Sequence, residues 1–310
     1  MKLLKLENLK HYLLMHMVVL AFGFTGILGK LIQLDFYQIV FFRMLIAGVS
    51  LFLFLKITRR KFQIKNRKTL LKIIGVGLIV VLHWLTFFKA IQVSTASIAV
   101  LCMATTALHV SWLEPLIMRR KFSALEFSLG ILVIIGVVVV TNNAGVSQLN
   151  GLLWGLFSAL LSALFAVFNA YLNKVEKVSS ASLTLYEMFT GSIILLLGLG
   201  IFGKMNIDFF KMTFSDFSWL LFLGIFCTSL AFMVMIDVIN KIGAYTATLT
   251  VNLEPIYSIV LAVFILSENE ILGPKFYIGS FFIVLIVFAN PLLKKIERNY
   301  LKNRRAKLQR

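Results

Sequence analysis

Ten apolar stretches, each about as long as a bilayer-crossing helix, follow one another along this 310-residue chain. They run approximately over residues 11–30, 38–57, 69–90, 95–118, 123–141, 150–172, 183–202, 216–238, 244–266 and 273–293. A helix needs roughly 20 mostly apolar residues to cross ~30 Å of hydrocarbon, and each stretch meets that length. Hydrophobic residues make up 60% of the chain and charged residues 14%, which leaves no room for a soluble domain. Soluble cores do not supply ten such segments in a chain of this size. Strands of a membrane barrel would alternate with a period of two, and these segments do not. The expected fold is an all-α membrane protein of ten transmembrane helices.

Basic residues fill every second connection. Of the 31 Lys and Arg, 25 fall on one side: the N-terminus, the 56–72 and 119–121 connections, Lys174, Lys177, Lys241 and the tail from Lys294 to Arg310. Five fall on the other side, at Lys30, Lys89, Lys204, Lys211 and Lys275, and Arg43 lies within a span. By the positive-inside rule both termini are cytoplasmic, as an even number of spans requires. The net charge of +18 is then an orientation signal rather than a nucleic-acid footprint, and the tail KKIERNYLKNRRAKLQR can touch anionic lipid. The basic flank of the first stretch resembles a signal peptide, but the stretch is too long and has no small-x-small cleavage site. The expected location is the bacterial cytoplasmic membrane, with lipid as the surroundings and no nucleic-acid partner. Cys102 and Cys227 both fall inside spans, so no disulfide framework is implied.

The chain also aligns with itself. AIQVSTASIAVL at 90–101 lies over VINKIGAYTATL at 238–249, an offset of 148, and FFRMLIAGVSLF at 41–52 lies over LYEMFTGSIILL at 185–196, an offset of 144. Each half, 1–145 and 146–310, has five spans, so the second enters the membrane from the opposite side, an inverted-topology repeat. Two equivalent packings of such halves can expose a central site to either side in turn. The alternative is duplication kept for stable packing alone.

HWLTFFKAI at 83–91, the fourth span ending SWLEPL, VNLEPIYSIV at 251–260 and the FFRMLIAG run together resemble EamA-type members of the drug/metabolite transporter superfamily over residues 11–293. The resemblance implies a 5 + 5 inverted bundle that carries small metabolites, often exporting amino acids, with a cavity lined by the first four spans of each half. One departure stands out. The family usually has a proline in the middle of the fourth span, where the offset of 148 from Pro255 puts Ala107, and Glu114–Pro115 comes later.

Ionisable groups inside spans are costly and therefore mark functional candidates. Glu254 lies ten residues into the ninth span, ~15 Å deep and near the midplane. Pro255 follows it and cannot donate to the Val251 carbonyl, which predicts a kink. Thr246, Thr250, Glu254 and Ser258 recur every four residues as one polar stripe flanked by Asn252 and Tyr257. Burial favours an uncharged carboxyl, so Glu254 can exchange a proton; the alternative is a structural carboxyl bonded to a neighbouring helix.

Arg43 lies ~8 Å below the outer surface in the second span, and its repeat mate is Glu187. Inversion separates the two by ~14 Å along the normal, so they are expected to face a common cavity from opposite ends rather than pair. Snorkelling or local capping is the rival reading of each. Lys89 and Asp237 sit at span ends and read as interfacial.

His83 and His109 can relay a proton or serve as hydrogen-bonded packing residues. Trp84 can stack on a substrate or belong to the interfacial belt. Glu114, near the inner surface, suits a gate, as Pro255 suits a hinge. Gly23, Gly26 and Gly29 in the first span, and Gly151, Gly155, Ala159 and Ala163 in the sixth, read as close-packing surfaces.

No P-loop, HExxH or Cys pair at ligand spacing occurs, so no cofactor, metal or ATP-driven chemistry is expected. The sequence reads as a secondary transporter of a small zwitterion, export favoured, with protons as the possible coupling ion, acting as monomer or homodimer. The alternatives are a nucleotide-sugar or phosphorylated-metabolite exchanger, which needs clustered cavity cations where only Arg43 is deep, and a membrane enzyme or receptor.

Overall fold

The structure, a computed structural model, describes residues 2–64, 66–141, 146–242, 250–251 and 253–308. Among the described residues the regular structure is helical, with no strand. The helices are α1 (Lys2–Leu31), α2 (Phe36–Ile57), α3 (Arg67–Val93), α4 (Ala96–Met103), α5 (Thr106–Met118), α6 (Ala124–Thr141), α7 (Val146–Lys174), α8 (Ser180–Ile201), α9 (Phe214–Leu221), α10 (Ala231–Ile242), α11 (Glu254–Leu266) and α12 (Pro274–Leu308). A π-helical stretch, Phe222–Leu230, joins α9 to α10 without a break. Among the described residues seven runs are long and apolar enough to cross a membrane, and Ala124–Val137, Glu254–Leu266 and Pro274–Ala289 are shorter apolar helices.

Local chemistry sets the helix starts. Asn66, Thr95, Ser179 and Thr213 each accept a backbone N–H two or three residues on, the side-chain cap that a helix N-terminus lacks internally. At α2 the Gln38 amide oxygen takes the Asp35 N–H at 2.9 Å while its Nε2 donates to the Phe209 carbonyl at 2.8 Å. One side chain thereby starts a helix and ties it to a distant turn.

The halves of the chain interlock. α1 packs on α10 and α11 while α7 packs on α3, α4 and α5, and α2 faces α8 as α6 faces α12. Ile27, Met44, Phe88, Leu220, Leu223 and Cys227 belong to the largest buried cluster, and Ile98, Val133, Phe276 and Ile283 to a second. The outside is apolar as well: Leu53, Ile135, Phe157, Leu197, Phe264 and Phe281 are exposed. An apolar exterior around buried Arg43, His83 and Glu187 is what a lipid solvent requires. The chain is a multi-pass integral membrane protein.

Helix boundaries recur at the offsets of the self-alignment. α2 and α8 both run 22 residues, 144 apart, and α5 and α11 both run 13, 148 apart. Arg119 and Ser267, which follow α5 and α11, both have φ of 52°.

Two expectations are corrected here. The fourth span is not one helix: it breaks at Ala104–Thr105, where N–H groups reach back only three residues and Thr105 Oγ1 bonds the Cys102 carbonyl at 2.6 Å. A hydroxyl bonded to its own backbone competes with the helical ladder, so the break needs no proline. Nor does Pro255 kink a continuous ninth helix: α11 restarts at Glu254 with Pro255 in its first turn, where the missing N–H costs nothing. The four-residue stripe through Thr250, Glu254 and Ser258 is therefore interrupted at Leu253, which forms a turn.

Candidate functional site

Arg43 of α2, Trp84 of α3 and Thr228 of the π stretch come together, with Glu254 at the start of α11 within electrostatic range of Arg43. Arg43 is 6% exposed. Its Nε donates to Thr228 Oγ1 at 3.0 Å, and its guanidinium carbon stands 3.8 Å from the Trp84 ring centroid and 5.8 Å from that of Phe88. Thr228 is aimed by the π turn, since its hydroxyl bonds the Leu223 carbonyl five residues back at 2.8 Å. Irregular helix of this kind is a device for presenting a side chain.

Glu254 is half-buried and lies within electrostatic range of Arg43, yet no direct ion pair joins them. As the first residue of α11 it stands at the positive end of a helix dipole. Its backbone is sealed by α1: a Cβ placed at Gly23 would lie 3.3 Å from the Glu254 carbonyl and 3.1 Å from the Ser258 nitrogen. Tyr257, one turn on, hydrogen-bonds His16 Nδ1 at 2.9 Å. Thr250 is buried nearby in sequence; Asn252 and Thr246 lie outside the described residues.

His83 points the other way from Trp84. Its Nδ1 meets the Ser158 carbonyl at 3.0 Å and hydroxyl at 2.9 Å, the Ser158 hydroxyl reaches the His83 carbonyl at 3.0 Å, and Phe165 stacks on the ring. It ties α3 to α7. His109 is half-buried, edge-on to Trp112, with Nδ1 lacking a partner. Glu114 pairs with Arg120 at 3.2 Å, and Arg120 also pairs with Glu126, joining the end of α5 to the start of α6.

Glu187 forms a separate polar point. It is 1% exposed, Oε1 has no partner, and the Asn169 amide lies within hydrogen-bonding reach. Arg43 and Glu187 do not pair. An open recess of about 440 Å³ at the α1–α2 turn, lined by Lys30, Gln33, Asp35, Gln38 and Gln92 among others, includes none of these site residues.

His16, Thr228 and Asn169 were not singled out in the sequence. His16 carried a signal, an ionisable residue inside the first span; neutral Thr228 and Asn169 carried little. Two further acids, Asp216 in the first turn of α9 and Glu268 after α11, prove to be buried caps. Asp216 accepts the Gln33 N–H at 2.7 Å and the Thr213 hydroxyl at 2.6 Å, and Glu268 accepts the Ala96 and Ser97 N–H groups at 2.7 and 3.0 Å.

Residues 9–142 and 149–290 each match the sequence model of the EamA-like transporter family. An uncharacterized transporter of Clostridium kluyveri is 23% identical over 292 residues, covering 89% of this chain and 91% of the relative. The uncharacterized transporter YxxF of Bacillus subtilis is 24% identical over 248 residues, 78% of each chain. A protein crystal structure superposes with a TM-score of 0.64 over 93% of this chain and 99% of its own, at 14% identity, a likeness of fold.

Proposed function

The chain belongs to the EamA-like transporter family, and from that premise we propose that it carries a small zwitterionic metabolite, an amino acid or similar solute, across the bacterial cytoplasmic membrane by alternating access. In this reading both termini are cytoplasmic, the two halves are inverted repeats, and net movement is outward. The recurrence of helix boundaries at offsets of 144 and 148 supports equivalent halves that can exchange packings.

One observation carries the substrate class. Arg43 is held by Trp84 and Thr228, in electrostatic range of Glu254 but not paired with it. Opposite charges kept apart in a low-dielectric interior fit a solute bearing both. Its carboxylate meets the Arg43 fork, its ammonium meets Glu254, and Trp84, Thr250 and Tyr257 line the space between. Pro255 sets the α11 start as a hinge. On the cytoplasmic side the Glu114–Arg120–Glu126 cluster closes the path, with Glu114 as its gate.

The test is counterflow in proteoliposomes of purified protein, using a panel of labelled amino acids with a nucleoside-diphosphate sugar as comparator. Exchange is expected for zwitterions and not for the nucleotide sugar, which needs more deep cations than Arg43. Absence of flux for every solute ends the reading.

A further inference from the structure

Glu187 is a buried acid that the substrate site does not use. It sits in α8 against α2, α3 and α7, 1% exposed. Glu187 Oε1 and Asn169 Oδ1 are both buried without hydrogen-bond partners, on side chains that lie against each other. Two orphaned acceptors side by side are expensive to keep.

Of the charged groups on the packed elements, Lys56, Arg67, Lys68, Lys174 and Lys241 are exposed toward helix ends, and the others are engaged elsewhere. Arg43 of α2 lies on Trp84 and Thr228. In α3, His83 binds Ser158, Lys72 binds Glu176 and Lys89 lies over Phe36. Asp237 of α10 pairs with Arg60. What these two oxygens lack is a donor.

We propose that Glu187, with Asn169, is a proton-binding site separate from the substrate site, and that its loading and unloading couple solute movement to proton movement. A proton taken from water on one side forms an O–H bond on the Glu187 carboxylate. The carboxyl then donates as well as accepts, which is the complement the Asn169 amide needs. The same O–H bond breaks when water from the other side accepts the proton. A metal cation would need a shell of several oxygens, and the pair offers only these two unpartnered ones.

Packing ties this exchange to the conformational cycle. A Cβ at Gly77 of α3 would stand 3.1 Å from the Thr190 side chain and 3.4 Å from the Glu187 carbonyl, and one at Gly48 of α2 would stand 3.3 Å from the Phe189 ring. Contacts that close on both sides shut water out from the α2 and α3 faces, so parting of α8 from these helices would admit it to Glu187.

The coupling half of the proposal rests on the transport reading; the proton site itself does not, and the two are tested separately. Infrared difference spectra of the purified full-length protein in lipid, stepped from acid to alkaline buffer, report protonated carboxyls without any solute. The expected result is a protonated-carboxyl band that Glu187→Gln removes, Glu254→Gln leaves in place and Asn169→Leu shifts. Spectra of Glu187→Gln superposable on wild type overturn the site. If Glu187→Gln does not fold, an unshifted band in Asn169→Leu overturns it equally.

In proteoliposomes loaded with the labelled amino-acid panel, coupled sites typically influence each other about 5- to 150-fold. Glu187→Gln is expected to keep solute exchange while losing about tenfold or more of its acceleration by a pH gradient. Loss of exchange together with that acceleration, in a variant that melts like wild type, overturns the coupling, as does flux that follows a sodium gradient instead. Absence of exchange by the wild type would count against the transport reading and leave the infrared result standing.

Discussion

The Arg43 guanidinium carbon stands 3.8 Å from the centroid of the Trp84 ring, so a buried cation is held by an aromatic face and the Thr228 hydroxyl rather than by an acid. That arrangement stabilises the charge without neutralising it. A desolvated cation–π contact contributes about 2 kcal/mol, and a cation left unpaired can still attract a carboxylate.

Arg43→Lys keeps the charge and loses the planar fork. It is expected to weaken solute binding by about tenfold, and Trp84→Leu by a comparable factor because the contact is worth about 1–2 kcal/mol. KM values for counterflow measure both. Unchanged KM in the two variants would remove Arg43 from the site.

Helix contacts predict an opposite pair of glycine substitutions. A Cβ at Gly130 would lie 2.5 Å from the Leu108 Cα, a backbone atom that cannot swing aside, whereas at Gly198 it would meet nothing within 4 Å. Gly130→Ala is expected to destabilise by about 1–3 kcal/mol. Gly198→Ala is expected to stabilise by up to about 1 kcal/mol through helix propensity. Melting in detergent shows both signs.

His83 and Ser158 hold α3 to α7. Ser158→Ala removes a buried hydroxyl partner and is expected to cost about 1 kcal/mol of stability with the solute KM unchanged. A large KM change without a melting shift would place His83 among the substrate contacts instead.

Glu176, in the α7–α8 turn, accepts from Lys72 and from Thr69 Oγ1 at 2.8 Å. The Lys72 ammonium, then the Thr69 hydroxyl, hold its carboxyl below the usual 4.5. A lowered folded value means its contribution is fully present above about 4.5 and fades as pH falls through the folded value. The Tm difference between wild type and Glu176→Gln is therefore expected to be present at neutral pH and to shrink in acid; a difference that grows in acid would contradict the sign.

The lengths of the apolar runs made the helical membrane architecture legible, because lipid admits few alternatives. The interruption at Ala104–Thr105 was not legible, since its cause is a hydroxyl bonding its own backbone and the residue that usually marks such a break is absent. Pro255 did mark its break, but as a restart rather than a kink. Arg43, Glu254 and Glu187 stood out because charge in a span is rare. Thr228 and Asn169 did not, because neutral polar residues are common there and only geometry shows which charge they serve. The partners of Glu268, the first N–H groups of α4, lie 171 and 172 residues away and could not be seen in one dimension.

The most direct measurement compares three solutes in the reconstituted protein: an amino acid, its decarboxylated amine and its deaminated acid. If Arg43 and Glu254 hold opposite ends of a zwitterion, the intact amino acid is preferred over both analogues, each missing charged hydrogen bond being worth about 1.5–3 kcal/mol. Arg43→Gln then erases the preference over the amine, and Glu254→Gln the preference over the deaminated acid. Preferences that survive both substitutions, or flux unchanged by Glu254→Gln, would contradict the account.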